Sequence, residues 1–69
     1  MRRFERHAIL EAIDRLNPAN AIPLRLYAGE DMPYRQIAYV LGVPVGTVMS
    51  RIYRGRRTLI KLLLEAGVT

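Results

Sequence analysis

Cysteine is absent, histidine and phenylalanine occur once each, and no acidic residue stands between Asp31 and Glu65. Without cysteine there are neither disulfides nor thiolate metal ligands to staple a fold. The lone histidine, His7, has no cysteine or clustered carboxylates around it in sequence, so it reads as a surface side chain and not a metal ligand. Ser50 has no neighbouring histidine to activate it, and Glu30-Asp31 come without a nucleophile or metal cluster, so they read as turn and capping residues. Neither catalysis nor a cofactor is expected. No apolar run approaches the length of a membrane span. The basic start Met1-Arg2-Arg3 is not followed by a signal-type hydrophobic region, which makes a cytoplasmic setting the expectation.

What remains is a chain of 69 residues, 51% of them apolar, with four prolines and five glycines. That is one small domain with enough apolar material for a core and too little proline and glycine for a disordered chain. An unstapled chain of this size folds as a helical bundle or leans on a partner. The net charge is +5, and its placement is uneven. Residues 1–31 balance five arginines (Arg2, Arg3, Arg6, Arg15, Arg25) against five acids (Glu5, Glu11, Asp14, Glu30, Asp31). Residues 32–61 carry Arg35, Arg51, Arg54, Arg56, Arg57 and Lys61 against no acid at all. The excess positive charge therefore lies in the second half, as in a nucleic-acid contact, although a solvated basic face has the same composition.

Hydrophobic spacing predicts four helices and an all-α fold. Phe4, Ala8, Ile9, Ala12, Ile13 and Leu16 follow the three-four rhythm of a first helix, ended by Asn17-Pro18. A second helix is expected from about Asn20 to Ala28, because a start at Pro18 would place Pro23 at the sixth position. Gly29-Glu30-Asp31 would close it. Tyr34, Ile37, Ala38 and Leu41 form one stripe of a third helix over roughly 33–41, with Gly42 as its left-handed stop. A fourth helix is expected from near Val45 to Leu64 or Glu65, with Gly67 ending it.

Projected at about 100° per residue, the fourth helix separates into faces. Val48, Ile52, Gly55, Leu59 and Leu62 share a narrow arc, with Val45 and Leu63 at its edge. Thr47, Ser50, Arg54, Arg57 and Lys61 lie opposite, bordered by Arg51, while Met49, Tyr53 and Arg56 occupy the other flank. The third and fourth helices have the spacing of a helix-turn-helix: small Ala38, Gly42 four residues on, and Ile37, Leu41, Val43 and Val48 as apolar pins. In that motif the second helix enters the major groove by its N-terminal residues. This places Thr47, Ser50, Arg51 and Arg54 near bases and Arg56, Arg57 and Lys61 near phosphates. Tyr34, Arg35 and Gln36 would meet phosphate at the start of the third helix. Tyr27, Tyr39 and Tyr53 read as packing or rim residues. Leu62, Leu63 and Leu64 have two readings of similar weight: they lie on the small core, or one domain cannot bury all three and some form a protein-partner surface.

MPYRQIAYVLGVPVGTVMSRIYRGRRTL resembles region 4 of bacterial sigma factors, especially the extracytoplasmic-function group. Tyr34, Ile37, Ala38, Leu41, Gly42, Val45, Gly46, Thr47, Val48, Ser50, Arg51 and Arg54 carry the likeness, which reaches back through Leu16 and Pro18. The resemblance implies a four-helix, wingless domain that binds the −35 promoter element in double-stranded DNA while attached to the β-subunit flap of RNA polymerase. It also implies an anti-sigma partner that masks these surfaces, and no membrane association. Residues 1–69 would then be one region 4-like domain within a longer sigma factor, since nothing in them melts DNA or reads a second promoter element. Four departures stand out: Met49 where relatives carry a basic residue, Pro33 where serine is common, Pro23 inside the second helix, and Arg35-Gln36 in place of an acidic pair. Pro33 leaves Asp31 or Met32 to cap the third helix. Two other readings share part of the pattern: the helix-turn-helix of a response-regulator-type activator, and a basic amphipathic module that binds a membrane or an acidic protein.

Overall fold

The computed structural model describes residues 6–67 and is all-α. Its elements are α1 (Arg6–Ile13), α2 (Pro18–Glu30), α3 (Tyr34–Leu41) and α4 (Val45–Glu65), and no strand occurs among the described residues. Phe4, the expected start of the first helix, lies outside the described residues. α1 also ends earlier than its apolar rhythm suggests. The Arg15 amide bonds to the Ala12 carbonyl at 3.1 Å and the Leu16 amide to Ile13 at 3.0 Å, three residues back, so the chain tightens into a turn. Leu16 is still buried.

α2 starts at Pro18, two residues before the expected Asn20. Asn17 caps it: its side-chain oxygen accepts from the Ala19 amide at 2.9 Å, and its carbonyl accepts from Asn20 and Ala21. Pro18 then occupies the first turn, where a missing donor breaks nothing. Pro23 accordingly lies inside the helix and deprives the Ala19 carbonyl of its partner. Two features offset that loss. Ala19 is an exposed residue at the helix surface, and the Pro23 ring is fully buried. The far end runs past Ala28 through Gly29 and Glu30 to Asp31, which adopts a left-handed φ of 55°. The Met32 amide reaches the Leu26 carbonyl at 3.1 Å, a six-to-one closure. Asp31 therefore ends α2 and does not cap α3. Pro33, extended at φ −63° and ψ 152°, takes the capping position of α3 without a side-chain bond.

Gly42 has φ 69°, the conformation a Cβ disfavours, and it ends α3 as expected. Pro44 stands just before α4 in the same extended form as Pro33. At 21 residues α4 is about 31 Å long, against a longest molecular dimension of 36 Å, so it is the spine of the domain. All three other helices pack on it, α2 most extensively. The core comprises Ala12, Ile13 and Leu16, then Ala21 and Leu24, then Ile37 and Ala38, and Val48, Ile52 and Leu59 of α4. No buried polar side chain interrupts it among the described residues. α1 is also clipped to α2 at the surface: Arg25 pairs with Asp14 at 2.7 Å and reaches the Leu10 carbonyl at 3.3 Å, while Arg6 donates to the Gly29 carbonyl. Both members of the ion pair are well exposed, so its contribution is about 0.2–1 kcal/mol.

Where α2 crosses α4, Gly55 faces the partner helix. A Cβ there would lie 3.1 Å from Leu24 Cδ2 and 3.4 Å from the Asn20 carbonyl oxygen. The methyl end of Leu24 can yield a few tenths of an ångström, and alanine improves helix propensity by up to about 1 kcal/mol. Gly55→Ala is therefore expected to leave stability nearly unchanged. Gly55→Leu should destabilise by about 1–3 kcal/mol through overpacking, read as a lower midpoint in urea unfolding.

Candidate nucleic-acid interface

α3 and α4 meet at the turn the sequence suggests. The Val43 amide bonds to the Ala38 carbonyl at 3.1 Å, and Gly42 to Tyr39 at 3.3 Å. Ile37 and Val48 are fully buried pins, Leu41 and Val43 pack against them, and Ala38 is buried at the crossing. The arrangement fixes how α4 is rolled. Val48, Ile52, Gly55 and Leu59 point inward, so the opposite side of the helix is open to solvent.

Ser50, Arg54, Arg56, Arg57 and Lys61 are exposed on α4, as are Arg35 and Gln36 at the start of α3. Thr47 and Arg51 are half-buried and lie on the flank that turns toward the core. Tyr34 is also half-buried. Its ring packs on Tyr27 of α2, centroids 4.9 Å apart and planes tilted by 42°, so it helps hold α3 against α2. Of the suggested partner leucines, Leu62 and Leu63 are half-buried; with Ala8, Ala12 and Ala66 they line a small groove of about 190 Å³ between α1 and the end of α4. Leu64 is 62% exposed and is accompanied by Ile60 at 56%.

Three residues gain weight from the structure. Tyr53 is 61% exposed and stands beside the basic row, with the Arg57 guanidinium 5.8 Å from its ring centroid. That cation–π contact holds the arginine over an aromatic face in the open. Its signal in sequence was the four-residue spacing of Tyr53 and Arg57 along one helix. Asn20 and Thr58 join Arg54, Arg57 and Lys61 around an open groove of about 420 Å³ between α2 and α4. Nothing in a linear reading places Asn20 there, because its position depends on the helix crossing at Gly55. Among the described residues no cluster of histidine, cysteine or carboxylates is suited to a metal ion, and no helix is long and apolar enough to cross a membrane.

A helix-turn-helix whose second helix shows a cation-rich outer face, free of acids from Val45 to Leu64, belongs to the DNA-binding class. Within that class, residues 6–59 match the family described as sigma-70, region 4, and the chain belongs to it. The match takes in all of α1–α3 and the first part of α4 through Leu59. It is a DNA-binding family and not a catalytic one.

Met49 is exposed on the flank of α4 that carries Tyr53 and Arg56, a neutral side chain next to the basic row. Met49→Arg should tighten binding to duplex DNA and steepen the dependence of log affinity on log salt by about one unit, as expected for one more neutralised phosphate. Titrations at several salt concentrations read this directly.

Proposed function

We propose that the chain is the promoter-reading domain of an extracytoplasmic-function-type sigma factor, recognising the −35 element and docking on the flap of the RNA polymerase β subunit. The observation that carries this reading is the exposed row Ser50, Arg54 and Arg57 set opposite the buried stripe of α4 on a helix-turn-helix frame. Ser50 and Arg54 meet base edges in the major groove, with Thr47 and Arg51 at the side of the same groove. Arginine pairs with guanine O6 and N7, and a hydroxyl with a base or phosphate. Arg56, Arg57 and Lys61 contact phosphates further along α4. At α3, Pro33 supplies no side-chain cap, so the first amides of the helix are available to a phosphate beside Tyr34, Arg35 and Gln36. The acid-free stretch fits the same role, because a carboxylate there would face phosphate.

The exposed Ile60 and Leu64, with Leu62 and Leu63 behind them, are the protein-facing side of this reading. They offer apolar area to the polymerase, or to an anti-sigma factor that covers the domain when transcription is off. In this reading residues 1–69 form one module of a longer cytoplasmic sigma factor. A membrane- or partner-binding amphipathic helix is less well supported, because the apolar stripe of α4 is already occupied by the other helices.

Arg54→Ala should weaken binding to the selected promoter sequence by about 1–3 kcal/mol and relax preference at one base pair. Selection from a randomised duplex pool with both proteins measures the two effects together. Equal losses on selected and random duplex would reassign Arg54 to a phosphate. On the protein side, Leu64→Asp should reduce capture of the folded domain by the isolated β flap while leaving DNA affinity within about twofold, and undiminished capture would remove Leu64 from the docking surface.

A further inference from the structure

The groove between α2 and α4 adjoins the reading row at Arg54, and every side chain that lines it is polar or cationic. Its lining is Asn20, Arg54, Arg57, Thr58 and Lys61, with no acid among them. Arg54, Thr58 and Lys61 fall at i, i+4 and i+7, which stacks them along one flank of α4. Arg57 stands four residues before Lys61 and is steadied by Tyr53. Like charges at three- and four-residue spacing destabilise a helix. Here neither Arg54 nor Lys61 forms an ion pair with a described residue. Glu65, four residues after Lys61, forms no ion pair with either of them, and a bound anion would relieve the repulsion.

The second wall of the groove is Asn20, and its presence there has a structural cause. Gly55 lets the α2 backbone come so close to α4 that an added Cβ would lie 3.5 Å from Asn20 Cβ. The close crossing sets a neutral amide donor opposite the Thr58 hydroxyl and the three cations. The groove is open along its length and does not enclose a ligand. An open channel lined by cations and neutral donors suits a strand that carries successive anions.

We propose that this groove seats the sugar–phosphate backbone of one DNA strand, with Asn20 and Thr58 hydrogen-bonding phosphate oxygens that Arg54, Arg57 and Lys61 neutralise. The contact extends the interface beyond the two helices of the motif, so that α2 also touches DNA. It rests on the proposed function only in taking duplex DNA as the ligand. Arg54 joins the two regions, one side of its guanidinium within reach of the major groove and the other on the backbone seat. This continuity with the reading row favours a nucleic-acid strand over an acidic protein surface.

Asn20→Asp provides the test. The substitution preserves shape, and a carboxylate in the first turn of α2 favours the helix, so an unchanged melting curve should accompany it. Placed in the groove, the new charge repels phosphate. With the whole chain and both selected and random duplexes, the variant is expected to bind about tenfold more weakly to each. Its salt slope should be shallower by about one unit, with the selected sequence unchanged. Thr58→Val should act in the same direction, about threefold, without adding charge. Affinities within twofold of the parent and an unaltered slope would overturn the groove proposal while leaving promoter reading intact. A changed sequence preference would also overturn it, by assigning the groove to bases. Unchanged DNA binding together with lost binding to purified RNA polymerase core would give the groove to an acidic protein surface instead. If the parent chain enriches no sequence from a random pool, promoter reading fails, and the groove is still judged by Asn20→Asp on random duplex.

Discussion

α4 is not free to roll. Its inward stripe of Val48, Ile52, Gly55 and Leu59 is shared among α1, α2 and α3. A turn of one residue, about 100°, would bring a charged arginine into a core that holds no polar partner. Every outward feature of the domain follows from that restriction. Ser50, Arg54 and Arg57 project because the stripe opposite them cannot leave the core. Arg51 and Thr47 lie on the flank for the same reason. One helix therefore acts as structural spine and reading surface, and its packing side sets the aim of its polar side.

Local signals made much of this legible. The third and fourth helices, their boundaries near Leu41 and Val45, and the left-handed Gly42 follow from side-chain period and from the one residue type suited to φ 69°. The buried stripe of α4 was readable because period 3.6 needs no knowledge of the partner helices. The start of α2 was not. Weighed locally, Pro23 argues against a helix beginning at Pro18. In the fold its ring is buried and Ala19, whose carbonyl would have been its helical partner, is an exposed residue, and only the tertiary structure supplies either fact. Asp31 presents the same problem in smaller form. As an acid before a helix it suggests a cap for α3, but its backbone is spent ending α2.

The interface was legible as a composition and less so as a surface. Counting charges finds the basic row, and projection finds which side of α4 it occupies. Neither shows that the Tyr34 ring is engaged by Tyr27, that Leu62 and Leu63 partly face α1, or that Asn20 borders the arginines. Each of those depends on contacts between residues distant in sequence. Asn20 is the clearest case, since the glycine that brings it into place is 35 positions away.

The prolines have a further consequence. Pro18, Pro33 and Pro44 each stand at the threshold of a helix, and Pro33 and Pro44 share nearly the same extended backbone angles. A pyrrolidine ring removes conformations the unfolded chain would otherwise explore, and it does so where the folded chain needs the angle already imposed. Part of this small domain's persistence therefore comes from what its denatured ensemble has lost. A surface crowded with like charges can be carried by so thin a core because the disordered alternative has been made poorer, at the entrance to each of the last three helices.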